Sequence, residues 1–186
     1  MPARTAGSSI APADGLKELT ITEILNAPRN LTWRTWTDAR HVAEWWGPAG
    51  FTNPVCEWDA RPGGLIHIDM QAPDGSVIPM RGVFHDVREP EWLDFTTTAF
   101  ADGEGSDQLQ VRHNVSFEEQ DGKTKLTLQS RVVKTTPATA PFLAGMEDGW
   151  KQSFDRLAEL LKSSQFEKPL DHFRQHYKAG DTKCQN

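Results

Sequence analysis

The sequence is poor in the residues and runs that mark specialised classes of protein. Among its 186 residues are two cysteines and one tyrosine, and no apolar run approaches the ~20 residues that span a bilayer. So few cysteines exclude a disulfide scaffold, and we expect Cys56 and Cys184 to be free thiols in the cytoplasm. Residues 1–15 lack the apolar core of a signal peptide, so no export is expected.

The sequence also lacks a net basic charge, which argues against nucleic acid as a partner. The formal net charge is −6, whereas a protein that binds phosphates usually presents a basic face. His172 and His176 are spaced to share one face of a helix as metal ligands, but a solvated tail helix is the favoured interpretation. We therefore expect no metal, no cofactor and no membrane span.

The length and the composition predict one domain with two tails. Residues 1–16 are rich in Ala, Ser, Gly and Pro and are predicted to form a disordered arm. The domain is expected over 17–163, followed by a tail over 164–186 that is partly helical or loose.

Within the domain the spacing of the apolar residues changes three times, between the period of a strand and that of a helix. One strand is predicted within 17–27, followed by two short helices that end at Trp46. Alternating apolar residues and hairpin turns predict about six strands between 52 and 133, and one of these strands places Leu93, Phe95 and Thr97 on one face. A long amphipathic helix then follows Pro137, with its apolar positions at Phe142, Met146, Trp150, Phe154, Leu157 and Leu161.

This order of elements predicts an α+β fold built on one antiparallel sheet of about six to seven strands. Such a sheet has one apolar face and needs a cover, which the long helix can supply. A gap between the helix and the sheet would be the natural place for a ligand.

Five segments resemble a known family, in the expected order and spacing: EWWGPAGF, CEWDARPGG, PDGS…RGVFHDVREPEWLDFT, DGKTKLTL and GMEDGWKQSFDRLAELL. Over residues 18–162 the chain is similar to the activator-of-heat-shock-protein-ATPase homologue domain of the START-like, or SRPBCC, superfamily. The resemblance implies the helix-grip (Bet v-like) fold, in which a curved sheet grips the C-terminal helix around a hydrophobic cavity. Members of the wider superfamily include ligand-binding proteins, cyclases, hydrolases and self-resistance proteins.

The adjacent tryptophans Trp45 and Trp46 cannot both point the same way from a helix. We expect one to pack in the core and the other to line or close the cavity entrance, with an all-core arrangement as the alternative. Gly145 and Gly149 in the long helix either leave room for a ligand or allow close approach of a strand. The residues expected to contact a ligand are Trp45, Trp46, Phe84, Phe95, His113, Met146, Gly149, Trp150 and Ser153.

His113 is the one candidate for chemistry, since it shares a strand face with Val111, Val115 and Phe117. It is either a general base or ligand hydrogen-bonder with a pKa near neutral, or a buried neutral histidine with a structural partner. By contrast, Arg156 is predicted to lie on the outer face of the long helix.

The favoured function is non-catalytic binding of a small hydrophobic or aromatic molecule, in a stress or resistance role. The first alternative is an enzyme of the cyclase, hydratase or hydrolase type with His113 as its acid-base. The second is a chaperone-associated module for protein interaction. The edges of an open sheet also permit a homodimer.

Overall fold

Eight β-strands and three α-helices are present in a computed structural model, which describes residues 7–9 and 17–163. A short 3₁₀ turn, Pro137–Thr139, precedes the last helix. The elements in chain order are β1 (Gly7–Ser9), β2 (Glu18–Leu25), α1 (Arg29–Thr37), α2 (Ala39–Trp45), β3 (Thr52–Trp58), β4 (Leu65–Gln71), β5 (Val77–Arg88), β6 (Trp92–Ala101), β7 (Asp107–Gln120), β8 (Lys123–Lys134) and α3 (Ala140–Lys162).

The strands form one antiparallel sheet in the order β1-β2-β8-β7-β6-β5-β4-β3. Strands β3 to β8 are a simple meander, as the hairpin turns predict, while β2 returns beside β8. Because β2 and β3 lie near opposite edges, α1 and α2 cross the width of the sheet between them. This architecture confirms the α+β helix-grip fold, and its seven longer strands, β2 to β8, agree with the predicted number.

Alternation along the strands separates an apolar inner face from a polar outer face. On β7 the inner positions Val111, His113 and Val115 are buried, as the sequence predicts. On the outer face Arg112 donates two hydrogen bonds to the Asp94 carboxylate, at 2.9 and 2.6 Å, and so lowers the pKa of that carboxyl group.

The strand β1 lies inside the segment 1–16 that was predicted to be disordered. Its three residues pair with β2, with Ser8 opposite Ile21. This pairing covers an edge of β2 that would otherwise present unpaired backbone groups. The remainder of 1–16, and the predicted tail over 164–186 with Cys184, His172 and His176, lie outside the described residues.

The opposite edge of the sheet, β3, carries a proline and an irregular register. Pro54 has no backbone N–H to donate, and the pairing with β4 shifts between Thr52 and Val55. These features make β3 a poor template for edge-to-edge pairing. The homodimer that open edges permit stays a prediction. None of the helices described here is long and apolar enough to cross a membrane.

The helices bury a cluster of aromatic rings against the inner face of the sheet. Trp36 and Trp45 are fully buried, with ring centroids 4.6 Å apart. Trp36 meets Phe117 of β7 edge-on at 5.9 Å and lies parallel to Trp150 of α3 at 6.4 Å. Rings from two helices and the sheet therefore fix the position of α3, since aromatic pairs add to the energy of area burial.

Arg156 of α3 holds the segment that follows α2. Its guanidinium donates to the carbonyl of Glu44 at 2.7 Å and to those of Trp46, Gly47 and Pro48 at 3.2, 3.0 and 3.1 Å. The prediction that Arg156 lies on the outer face is therefore wrong. The reason is that the carbonyls at a helix end lack partners within the helix and attract a donor from elsewhere in the fold.

Asn53 of β3 supports the same segment from the other side. Its buried side-chain amide donates to the carbonyls of Ala43 and Trp46, at 2.9 and 2.8 Å. The Trp46 carbonyl thus accepts hydrogen bonds from both Asn53 and Arg156. The end of α2 is held by one helix and one strand that belong to different parts of the chain.

We predict that Arg156→Met lowers the free energy of unfolding by about 2 kcal/mol, because it removes charge-assisted hydrogen bonds and leaves partly buried carbonyls unpaired. Methionine keeps most of the apolar stem. Urea denaturation followed by tryptophan fluorescence measures the change. Lys162→Met, on the same helix but in an exposed ion pair with Glu159, is the control and should have little effect. Equal stabilities for the two variants would contradict this account of Arg156.

Candidate functional site

A cavity of about 280 Å³ lies between the inner face of the sheet and the first half of α3. The end of α2 and the segment after it close one side. The apolar part of its sheet wall comes from four neighbouring strands: Met70 on β4, Met80 on β5, Ala99 on β6, and Leu109 and Val111 on β7.

Six of the nine residues expected to contact a ligand line this cavity. They come from the end of α2, from β7 and from one face of α3, which the fold brings together around the same space. These residues are Trp46, His113, Met146, Gly149, Trp150 and Ser153.

The two adjacent tryptophans have different surroundings, as the helix rotation predicts. Trp45 is fully buried beside Trp36, and its indole N–H donates to the carbonyl of Thr35 at 3.0 Å. Trp46 lines the cavity, and its ring meets Trp150 edge-on at 5.1 Å. Trp46 thus lines the cavity while it also belongs, with Trp45, to the buried core, and its role at the cavity entrance stays a prediction.

Phe84 and Phe95, like Trp45, are not part of the cavity lining. Their rings lie 5.3 Å apart, and both meet Trp58 edge-on in the core. Phe95 also contacts the His113 ring at a centroid distance of 4.9 Å. These side chains support the wall of the cavity without lining its space.

The first turns of α3 mark where the cavity meets solvent. Pro141, Phe142 and Gly145 line the cavity and are exposed. Phe142 was predicted to face the core, yet it is 37% exposed and contacts Phe100 edge-on at 5.1 Å. It differs from the prediction because the first turn of α3 lies over the opening of the cavity to solvent and not over the packed core.

The two helix glycines leave space and do not mediate a tight backbone contact. A methyl group built on Gly145 meets no atom within 4 Å, and one on Gly149 meets Pro48 Cγ at an ordinary 3.7 Å. Both residues line the cavity. The arrangement agrees with the alternative in which missing side chains leave room beside the helix.

His113 is buried in the wall, with both ring nitrogens engaged. Its Nε2 lies 2.9 Å from the Thr97 hydroxyl, and its Nδ1 lies 2.8 Å from the Ser130 hydroxyl. Burial lowers the pKa of His113 from 6.5 to about 3, because the charged imidazolium is desolvated there. The histidine is therefore neutral at physiological pH, as in the structural alternative foreseen for it.

The remaining polar groups of the lining are uncharged. Ser153 donates its hydroxyl proton to the carbonyl of Gly149 at 2.9 Å, and the lining also includes Thr97, Thr98 and the indole-bearing Trp46 and Trp150. None of the described residues that line the cavity carries a formal charge. Nor does the described part of the chain contain a group of three or more His, Cys, Asp or Glu side chains that could hold a metal ion.

Sequence reasoning missed two contributors to the site. Thr97 was placed on the inner face by alternation, but its contact with His113 depends on strand register. Because Arg156 was predicted to point outward, its hydrogen bonds to the segment that carries Trp46 were not foreseen. The local signal was its position between Phe154 and Leu157, which are both buried, since a residue flanked in this way can turn partly inward.

The sheet, the helix packed across it and the apolar cavity between them define a START-like helix-grip domain. A family model described as "Activator of Hsp90 ATPase homolog 1-like protein" matches residues 26–162. The chain belongs to this family, which confirms the resemblance seen in the sequence.

Solved structures share the fold at low sequence identity. The crystal structure of protein Ms6760 from Mycobacterium smegmatis has a TM-score of 0.69 and 24% identity, over 85% of this chain and 98% of that one. A protein from Arthrobacter aurescens, solved by NMR, has a TM-score of 0.68 and 21% identity, over 92% and 98%. The AHSA1 protein from Silicibacter pomeroyi has a TM-score of 0.64 and 19% identity, over 77% and 96%. A comparison with curated protein sequences finds no match.

We predict that His113 makes the protein less stable as the pH falls below about 6.5. In the unfolded chain His113 takes up a proton near pH 6.5, whereas the folded state resists protonation until the pH approaches about 3. Stability from this group is therefore full above pH 6.5 and declines toward pH 3. Between about pH 7.5 and 5.5 the loss is about 1.4 kcal/mol.

Urea denaturation at these two pH values, with wild type and His113→Gln, measures this contribution. Glutamine can still meet both hydroxyls but does not titrate. Wild type should lose about 1.4 kcal/mol more than the variant over this interval. Parallel pH dependences would show that His113 is not held in its neutral form by the fold.

Proposed function

We propose that the protein binds one small hydrophobic or aromatic molecule in the cavity and does not transform it. The observation that carries the proposal is an apolar cavity, bordered by three glycines and lined by uncharged groups, beside a core in which Trp36, Trp45, Trp58, Phe84 and Phe95 are packed. Apolar surfaces gain free energy when they leave water. An uncharged apolar guest therefore suits this wall.

The volume and the lining residues of the cavity limit the size and the shape of the molecule that can bind. At about 280 Å³ the cavity lies just below the range of ~300–1,000 Å³ typical of ligand pockets. The Trp46 and Trp150 rings favour a flat molecule of one or two rings, because aromatic faces and edges pair. Met70, Met80 and Met146 are adaptable and can fit around such a shape.

The environment of His113 favours binding over catalysis. A general acid-base works best with a pKa near the operating pH, but burial lowers the pKa of His113 to about 3. Both its nitrogens already have hydroxyl partners. The cyclase, hydratase or hydrolase alternative with His113 as acid-base is therefore the weaker one.

The surface gives less support to a protein-interaction module. Such a module calls for a contiguous exposed apolar patch and a filled interior. The large apolar side chains that are exposed in the described residues lie on five different elements: Ile24 on β2, Leu65 on β4, Val77 on β5, Val133 on β8 and Phe142 on α3.

A stress or self-resistance role suits a protein that withdraws a small apolar molecule from water without changing it. We place this role in the cytoplasm on the grounds of cysteine usage. Burial raises the pKa of the Cys56 thiol to about 11, so this side chain would stay a protonated, unreactive thiol there.

We predict that filling the cavity abolishes binding. Ala99 is buried in the β6 wall, and Ala99→Met would extend a flexible side chain into the space. Ala101→Met, on the same strand but exposed, is the matched control. Wild type and Ala101→Met should bind 1-acetonaphthone or 1-ethylnaphthalene, and Ala99→Met should bind neither.

Native mass spectrometry and thermal shift measure this binding. A ligand at roughly 100 times its Kd stabilises the folded state by about 2.7 kcal/mol, so the melting temperature should rise with dose. A rise that is equal in all three proteins would place the binding elsewhere. No binding of either compound to wild type would contradict the proposed function.

A further inference from the structure

We infer that the Thr97 hydroxyl is a hydrogen-bond donor to the cavity, and that the bound molecule presents to it an uncharged acceptor such as a carbonyl or ether oxygen. The inference rests on the proposed function and gives the chemistry of the guest. It follows from the number of protons that three buried, hydrogen-bonded side chains can donate.

The chain of hydrogen bonds runs across three strands in the order Thr97, His113, Ser130. Thr97 on β6 lies 2.9 Å from His113 Nε2, and Ser130 on β8 lies 2.8 Å from His113 Nδ1. The three residues are 6%, 4% and 1% exposed. Of the three, Thr97 and His113 line the cavity, whereas Ser130 does not.

The neutral imidazole allows two arrangements of protons. It has one N–H donor and one acceptor nitrogen, and each hydroxyl has one proton to donate. In the first arrangement Ser130 donates to Nδ1, and Nε2–H donates to the Thr97 oxygen. In the second arrangement Thr97 donates to Nε2, and Nδ1–H donates to the Ser130 oxygen.

Burial of Ser130 distinguishes the two arrangements. The second leaves the Ser130 proton without an acceptor, because within the described residues the Ser130 hydroxyl has His113 as its one hydrogen-bond partner. A buried donor without a partner is costly. The first arrangement satisfies Ser130 and leaves the spare proton on Thr97, where the cavity can hold an acceptor for it.

Trp46 and Trp150 also line the cavity and each carries an indole N–H donor, so Thr97 is one of several donors there. The Ser153 proton is already donated to the carbonyl of Gly149. Thr98 also contributes to the lining, but as the next residue on the strand its side chain is directed away from that of Thr97. Since no charged side chain lies in the described lining to pair with an ion, a carboxylate acceptor is disfavoured by desolvation.

A matched pair of compounds tests the donor. 1-Acetonaphthone has a ketone oxygen, and 1-ethylnaphthalene has a similar shape without an acceptor. Calorimetry gives the ratio of their Kd values for wild type, Thr97→Val and Thr97→Ser. We expect Thr97→Val to shift this ratio against the ketone by about tenfold, and Thr97→Ser, which keeps the hydroxyl, to leave it close to that of wild type.

The tautomer of His113 gives a second readout on the unmodified protein. In ¹⁵N-labelled wild type, long-range ¹H–¹⁵N spectra distinguish the two neutral forms of the ring, and His113→Gln identifies the signals. We expect the proton on Nε2. A proton on Nδ1 would overturn the inference even if Thr97→Val failed to fold.

The outcomes separate this inference from the proposed function. If both compounds bind to wild type and Thr97→Val leaves their ratio unchanged, the cavity binds ligands but Thr97 is not a donor to them. If neither compound binds to wild type, the proposed function fails and the inference about its guest fails with it. A ratio shift in Thr97→Val, restored in Thr97→Ser, supports both.

Discussion

The cavity depends on the hydrogen bonds between the Arg156 guanidinium and the backbone at the end of α2. Carbonyls over Glu44 to Pro48 accept from this one side chain, and Asn53 adds further bonds from β3. A helix end leaves carbonyls that must find partners. Here those partners come from the helix and the strand that flank the segment carrying Trp46, so that segment stays in place as the side wall of the cavity.

Packing around this wall divides the aromatic side chains into two groups. Trp45, Phe84 and Phe95 are almost fully buried and contact other rings. Trp46 and Trp150 belong to the same network but also face the cavity. A space persists beside them because α3 has glycine at lining positions 145 and 149, where a larger side chain would narrow it. The core is thus dense on one side of His113 and open on the other.

The fold is shared with proteins of little sequence identity, and a shared fold does not determine function, so the chemistry of this chain depends on the residues of its own cavity. That cavity has apolar walls, uncharged hydroxyls and a histidine kept neutral by burial. Neutral buried groups cost less to desolvate than charged ones. These features are the basis on which we propose an uncharged guest, to which the Thr97 hydroxyl would donate one hydrogen bond.

Local periodicity was enough to predict the elements and most of their inner faces. Alternation placed Thr97 and His113 on the apolar side of the sheet, and the 3.6-residue period placed Met146 and Trp150 on the sheet-facing side of α3. Only the tertiary structure decided that Thr97 and His113 meet, and that Arg156 turns inward to the end of α2. The reason is that periodicity is a property of neighbouring residues, whereas these contacts depend on strand register and on the unpaired carbonyls of a helix more than a hundred residues away.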